Sequence, residues 1–151
     1  MSRLPDGNGG IMLGMTASAT PSTVPTELKL HRASRVLEVV FDDGSRYRLP
    51  CEYLRVFSPS AEVRGHGGGE PQLVPGKQNV SITRIEPVGH YAVRLHFSDG
   101  HKTGLYTWPV LRELGENQAA HWARYLERMA QAGLSRDPDV VRPLSALLRK
   151  N

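Results

Sequence analysis

Apolar and polar residues alternate from Glu27 to His31, and the run Arg-Val-Leu-Glu-Val-Val-Phe at 35–41 is rich in β-branched side chains. Both patterns suit a pleated, half-buried surface and predict strands. Asp42-Asp43-Gly44 follows, and Asp-Gly between apolar runs predicts a tight hairpin, because Gly takes positive φ freely and Asp tolerates it. The chain is expected to return through 45–49. Pro50 then suits the first turn of a short helix over 51–56, where its missing N–H costs little, and the helix is expected to stop before Pro59. Residues 58–76 contain Gly65, Gly67, Gly68, Gly69, Pro71 and Pro75, a composition that predicts a long loop.

A second unit follows the same plan. Residues 81–85 and 92–97 alternate as strands, Ser98-Asp99-Gly100 supplies another Asp-Gly turn, 102–106 predicts the return strand, and Trp108-Pro109 leads into a helical 110–114. Displaced by 56 residues, Phe41, Asp43, Gly44 and Leu49 fall on Phe97, Asp99, Gly100 and Leu105. Two hairpins of this kind can bury their apolar faces against each other, which neither can do alone. Trp122, Tyr125, Leu126 and Met129 then recur at i, i+3, i+4 and i+7, the stripe of an amphipathic helix, with Asn117 as its N-cap and Gly133 as its stop.

The expected fold class is α+β and β-rich: two strand-turn-strand-short-helix units packed together, plus a C-terminal amphipathic helix. The expected divisions are a leader over 1–25, a domain over 26–114, the helix over 115–133, and a tail over 134–151 with a short helical segment at 140–150. The leader is read as disordered because it is rich in Gly, Ser, Thr and Pro and has no continuous apolar stretch of a signal peptide. Met12 and Met15 inside it leave a later start open.

Composition narrows the picture. At 151 residues the chain is about one domain long, so a second independent core is not expected. No run approaches the roughly 18 apolar residues of a membrane span, and the lone Cys51 has no intramolecular disulfide partner, so a cytoplasmic protein is expected. The formal charge of +4 permits an anionic partner without requiring one, because the basic residues are spread along the chain beside acids.

Candidate chemistry is sparse. No CxxC, HxH or HExxH pattern occurs among the six histidines and one cysteine. His66, within Arg64-Gly65-His66-Gly67, and His101, just after a tight turn, are the candidate metal ligands. The stretch 65–69 lacks the Gly-Lys-Ser/Thr of a phosphate-binding loop. Cys51 at a helix start reads as a small buried residue. Tyr47, Tyr53, Tyr91, Tyr106, Trp108 and Trp122, set among Arg and Lys, would allow base stacking on a sheet face, but aromatics on strands and helices more often build core.

Ser34-Arg35, Phe41-Asp42-Asp43-Gly44, Leu49-Pro50, Glu52-Tyr53-Leu54-Arg55, Ser58-Pro59-Ser60-Ala61-Glu62-Val63, Gly65-His66-Gly67, Ile85-Glu86-Pro87-Val88-Gly89, and Asp99-Gly100-His101 through Tyr106-Thr107-Trp108 together resemble the DUF971 family, also described as the gamma-butyrobetaine hydroxylase-like N-terminal domain. The resemblance runs from about Thr26 to Leu114 and is to a stand-alone form. It implies no hydroxylase activity, because in the larger dioxygenases iron and 2-oxoglutarate belong to a separate jelly-roll domain. The dioxygenase N-terminal domain carries a zinc site of three cysteines and a histidine. The resemblance places those cysteines at Ser58, Ser60 and Val63 and the histidine at His101, which implies that this zinc site is lost. Related domains fused to iron–sulfur carrier ATPases imply an association with iron–sulfur protein maturation, whereas one cysteine cannot hold a cluster alone.

The expected function is a non-catalytic protein-interaction or adaptor module, with no cofactor. Its surface is expected near the glycine-rich loop and the segment 100–108, using His66, His101, Tyr106 and Trp108. The expected partner is a protein, with iron–sulfur assembly components as the class implied by the family; no membrane contact is expected. Two alternatives are a metal-binding module built on His66, His101 and a carboxylate, and single-stranded nucleic-acid binding.

Overall fold

The computed structural model describes residues 24–64 and 70–140. His66, most of the expected leader and the expected final helical segment lie outside the described residues.

Strands β1 (Pro25–His31), β2 (Val36–Phe41) and β3 (Arg46–Pro50) form one antiparallel sheet in that order. The register sets Leu37 opposite Leu49 and Val39 opposite Tyr47, so the odd positions of β2 face inward while Glu38 lies on the other face, covered by His31, Arg46 and Arg48. Leu37, Val39, Phe41 and Leu49 are buried. Helix α1 (Cys51–Val56) follows directly from Pro50. Strands β4 (Ile82–Val88), β5 (Ala92–Phe97) and β6 (Leu105–Thr107) form a second antiparallel sheet in that order, burying Ile82, Val93, Leu95, Phe97 and Tyr106. Inner residues of both sheets join α1 and Leu111 and Leu114 of the helix that follows β6 in one core. Each fully buried Leu, Val or Phe there contributes roughly 1.5–3 kcal/mol.

The two units share backbone hydrogen bonds as well as sequence. Phe41 N–H donates to the Ser45 carbonyl (2.8 Å) as Phe97 N–H does to that of His101 (2.9 Å), and the Asp43 and Asp99 side chains accept from the N–H two residues on. Gly44 and Gly100 stand at φ 87° and 92°, which is why Gly follows Asp in both turns. Cys51 N–H meets the Arg35 carbonyl and Trp108 N–H that of Tyr91, so both helices begin at the same place relative to their sheets.

Helix α3 (Trp108–Glu116) starts earlier than the apolar pattern suggested. The Thr107 hydroxyl caps it by accepting from Val110 N–H, and Pro109 lies in the first turn. Helix α4 (Gln118–Ala132) ends at Gly133, in the left-handed region as expected. Asn117 supplies no N-cap bond to α4. Its Nδ2 donates to the Glu113 carbonyl instead, because the chain passes from α3 to α4 without an extended residue from which a side chain could cap. Tyr125 and Met129 are buried with Val56 in a second small cluster, Trp122 is half-buried beside them, and Leu126 is exposed. The amphipathic stripe therefore completes the core in large part.

Other features also differ from the expected ones. A short helix α2 (Ala61–Arg64) forms within the expected loop, strand β4 runs on through Pro87, and β6 starts at Leu105 rather than Lys102. Pro87 is tolerated because β4 is an edge strand paired only with β5.

Candidate functional site

The two units clasp each other reciprocally at their Asp-Gly turns. Arg55 of α1 donates from Nε to Asp99 in the second unit (2.8 Å), and Arg112 of α3 donates from Nη2 to Asp43 in the first (2.9 Å). In each clasp the arginine Nη1 is buried without an acceptor among the described residues. Two junctions result, with unlike contents.

At the Asp43 junction the Arg112 guanidinium lies 5.1 Å from the Phe41 ring and 5.7 Å from that of Tyr47. The Asp99 junction is polar. The Ser60 carbonyl accepts from Val63 and Arg64 N–H, and its hydroxyl accepts from Glu62 N–H, which starts α2 immediately after Pro59. The Ser58 hydroxyl accepts from Ser60 N–H and contacts His101 Nε2 at 2.9 Å. His101 Nδ1 lies 3.2 Å from Glu62 Oε1, so the tautomer that suits both contacts carries its proton on Nδ1. Thr103 closes the ring, 2.7 Å from the Ser60 hydroxyl and donating to Glu62 at 3.2 Å.

Ser58 is 0%, Ser60 6% and His101 8% exposed. Burial, then the Arg55 charge, hold His101 below the usual histidine range. Burial raises Asp99, but hydrogen bonds from Lys77, the His101 N–H and Arg55 outweigh it and leave the carboxyl at about 2. Serine, histidine and glutamate stand in the order of a nucleophile, base and orienting carboxylate. The Ser58 hydroxyl is nevertheless sealed from solvent, and here the three act as a strut tying the α1–α2 connection to the segment between the Asp99-Gly100 turn and β6.

Ser58, Ser60, Val63 and His101 do converge at this junction, yet they do not fit zinc. Both hydroxyls are engaged in hydrogen bonds, Val63 has no donor atom and is buried, and hydroxyls are poor ligands for this ion. His101 and Glu62 come together, but among the described residues no group of three or more His, Cys, Asp or Glu is placed to hold a metal.

The partner-binding expectation needs correction at Tyr106 and His101. Tyr106 is wholly buried, its hydroxyl donating to the Leu54 carbonyl (2.6 Å). His101 is enclosed in the strut, and Trp108 is half-buried with Nε1 donating to the His90 carbonyl. Fixed hydrogen-bond partners hold Tyr106 and His101 inward, while Trp108 keeps part of its ring at the surface. Among the six aromatics considered for base stacking, Tyr53 and Tyr106 are buried and only Tyr91 is exposed. Burial also raises the Cys51 thiol, consistent with a small core residue.

Open surface is found on either side of α4. One groove of about 660 Å³ runs past Phe57, Arg64, Pro109, His121, Arg124 and Arg128, beside the ends of the glycine-rich stretch. Another of about 810 Å³ runs past Pro50, Tyr53, Ala119, Trp122, Ala123 and Leu126. The sequence reading missed both, together with Arg55, Glu62, Thr103 and Arg112. The repeat carried a signal for the arginines: allowing one extra residue after the return strand, Arg55 aligns with Arg112.

A family model described as gamma-butyrobetaine hydroxylase-like, N-terminal, matches residues 28–112. A protein solved by NMR in solution is 51% identical over 87% of this chain and 96% of its own, with a TM-score of 0.69. A second NMR structure is 49% identical over 76% and 90%, with a TM-score of 0.67. A 1.93 Å crystal structure of a protein of unknown function in the DUF971 family, from Acidithiobacillus ferrooxidans, is 47% identical over 64% and 98%, with a TM-score of 0.54. No curated protein matches the chain.

Proposed function

Since the chain belongs to the gamma-butyrobetaine hydroxylase-like N-terminal family, we propose that it is a non-catalytic cytoplasmic module that binds a protein segment bearing acidic and apolar side chains. The groove beside the glycine-rich stretch carries this reading: Arg64, Arg124 and Arg128 line a channel whose apolar surfaces are Phe57, Pro109 and Val110. Arg124 and Arg128 already bind the Glu70 carboxylate there, the chemistry a partner's acidic side chain would extend. The sealed Ser58 hydroxyl supports a role without catalysis. By family association, the partner belongs to iron–sulfur protein maturation.

Affinity capture with the full chain, analysed by mass spectrometry beside Arg124→Glu, tests the proposal. A partner held by the wild type and lost in the variant supports it. No partner above background, or equal recovery by both chains, overturns it. A specific partner unrelated to iron–sulfur assembly removes only the pathway association.

A second reading, a metal-binding module, draws on the meeting of His101 with Glu62. Elemental analysis of untagged protein would then give near-stoichiometric zinc or iron, and a metal-free chain unchanged on titration with either ion would exclude it.

A further inference from the structure

The groove on the other face of α4 is apolar on its floor and faces solvent. Ala119, Trp122, Ala123 and Leu126 fall at i, i+3, i+4 and i+7 along the helix, and Tyr53 and Pro50 complete the floor. Leu126 is 39% exposed. Its charged groups are Glu52, Glu116 and Arg136. Arg136 is bonded twice to Glu52 at 2.7 Å and lies 5.3 Å from the Trp122 ring, so a guanidinium is already seated against a carboxylate and an indole here.

The described chain leaves this wall at Arg136 and reaches exposed Val140 four residues later. The sequence then continues Val-Arg-Pro-Leu-Ser-Ala-Leu-Leu-Arg-Lys-Asn. Val141, Leu144 and Leu148 recur at i, i+3 and i+7 with Leu147 beside them, whereas Arg142, Arg149 and Lys150 are basic and no acid is present. A segment of this length has too few turns to be stable as a helix in water without a surface for its apolar stripe. Pro143 suits the first turn of a helix and disfavours helical backbone before it, so a helix over 143–151 would span about 14 Å, enough to run alongside the roughly 10 Å from Ala119 to Leu126.

We propose that residues 141–151 of the same chain dock in this groove, setting Leu144, Leu147 and Leu148 against Trp122, Ala123 and Leu126. The basic residues of the segment then pass beside Glu116, whose only guanidinium partner among the described residues, Arg112, is shared with Asp43. The proposal is independent of the arginine-lined groove, which lies on the opposite side of α4.

The test uses the full chain with Ser145→Cys carrying a nitroxide, in a Cys51→Ala background, and reads methyl signals by NMR. Docking broadens the methyls of Ala119, Ala123 and Leu126, spares that of Val110 across α4, and is relieved by Leu144→Asp with Leu148→Asp. No selective broadening, or broadening centred on Val110, overturns the proposal. Broadening that appears only between a nitroxide-labelled copy and an isotope-labelled copy identifies a second molecule as the occupant and overturns it equally.

Discussion

The Asp43 and Asp99 junctions occupy equivalent places in two copies of one structural unit, and they are built from different materials. Each has an Asp-Gly turn clasped by an arginine from the other unit. At the first, Gly115 of α3 lies against the face of Tyr47, with no room for a Cβ beyond 2.5 Å of the ring. At the second, Gly104 lies against the Ser58 hydroxyl, again with no room for a Cβ. The first junction is thus closed by a half-buried aromatic ring packed on Phe41 and Arg112, the second by a sealed chain of hydrogen bonds. A repeated backbone fixes where contacts fall, while the side chains decide whether a contact is aromatic or hydrogen-bonded.

The largest effect that would sharpen this contrast is expected from Gly104→Ala. Its Cβ meets the Ser58 hydroxyl, Tyr106 at 3.1 Å and Pro59 at 3.3 Å, all held in place. A loss of about 1–3 kcal/mol is expected, read as a lower urea midpoint at unchanged slope. Gly115→Ala should cost less, because the gain of about 1 kcal/mol in helix propensity offsets part of the clash with the Tyr47 ring. Equal losses at the two glycines would break the comparison.

Arg55→Ala comes next, with an expected loss of about 1–2 kcal/mol from one charged hydrogen bond, since Lys77 still holds Asp99. Arg112→Ala also lowers the midpoint. The clasps share no partner, so the double variant should equal the sum of the singles within about 0.5 kcal/mol. Strong coupling would show that the junctions act as one unit. Ser58→Ala removes the hydroxyl from His101 Nε2 and from Ser60 N–H, and about 1 kcal/mol is expected. A neutral result would mean that the strut contributes no net stability.

The smallest effect is pH-dependent. His101 is held below its ordinary value, so its contribution is complete above the unfolded value near 6.5 and is lost as pH falls through the lower folded value. Asp99, at about 2 against 3.8, contributes fully above 3.8 and loses that contribution on the way down to 2. Urea midpoints should therefore decline below pH 6.5, with a further decline below 4. His101→Asn should remove the first decline and keep the second, because the amide does not titrate and Asp99 is left in place. A first decline that survives in the variant would assign it elsewhere.

Much of the fold was legible because it rests on local rules. The alternation of 92–97, the two Asp-Gly turns and the stop at Gly133 each express a backbone preference carried by neighbouring residues. The 56-residue displacement revealed the duplicated plan for the same reason. The candidate site was legible only in part. Resemblance brought Ser58, Ser60, Val63 and His101 forward, but Glu62 and Thr103, which complete the strut, carried no signal of their own.

The sequence by itself determined the strands, the turns and most of the helices, since periodicity and turn chemistry act over a few residues. Only the tertiary structure decided that Tyr106 is core, that Ser58 meets His101 across 43 residues of chain, and that each unit's arginine holds the other unit's turn. Those contacts depend on how two similar surfaces close on each other, a choice set by the burial and pairing of both surfaces together rather than by the residues of either one.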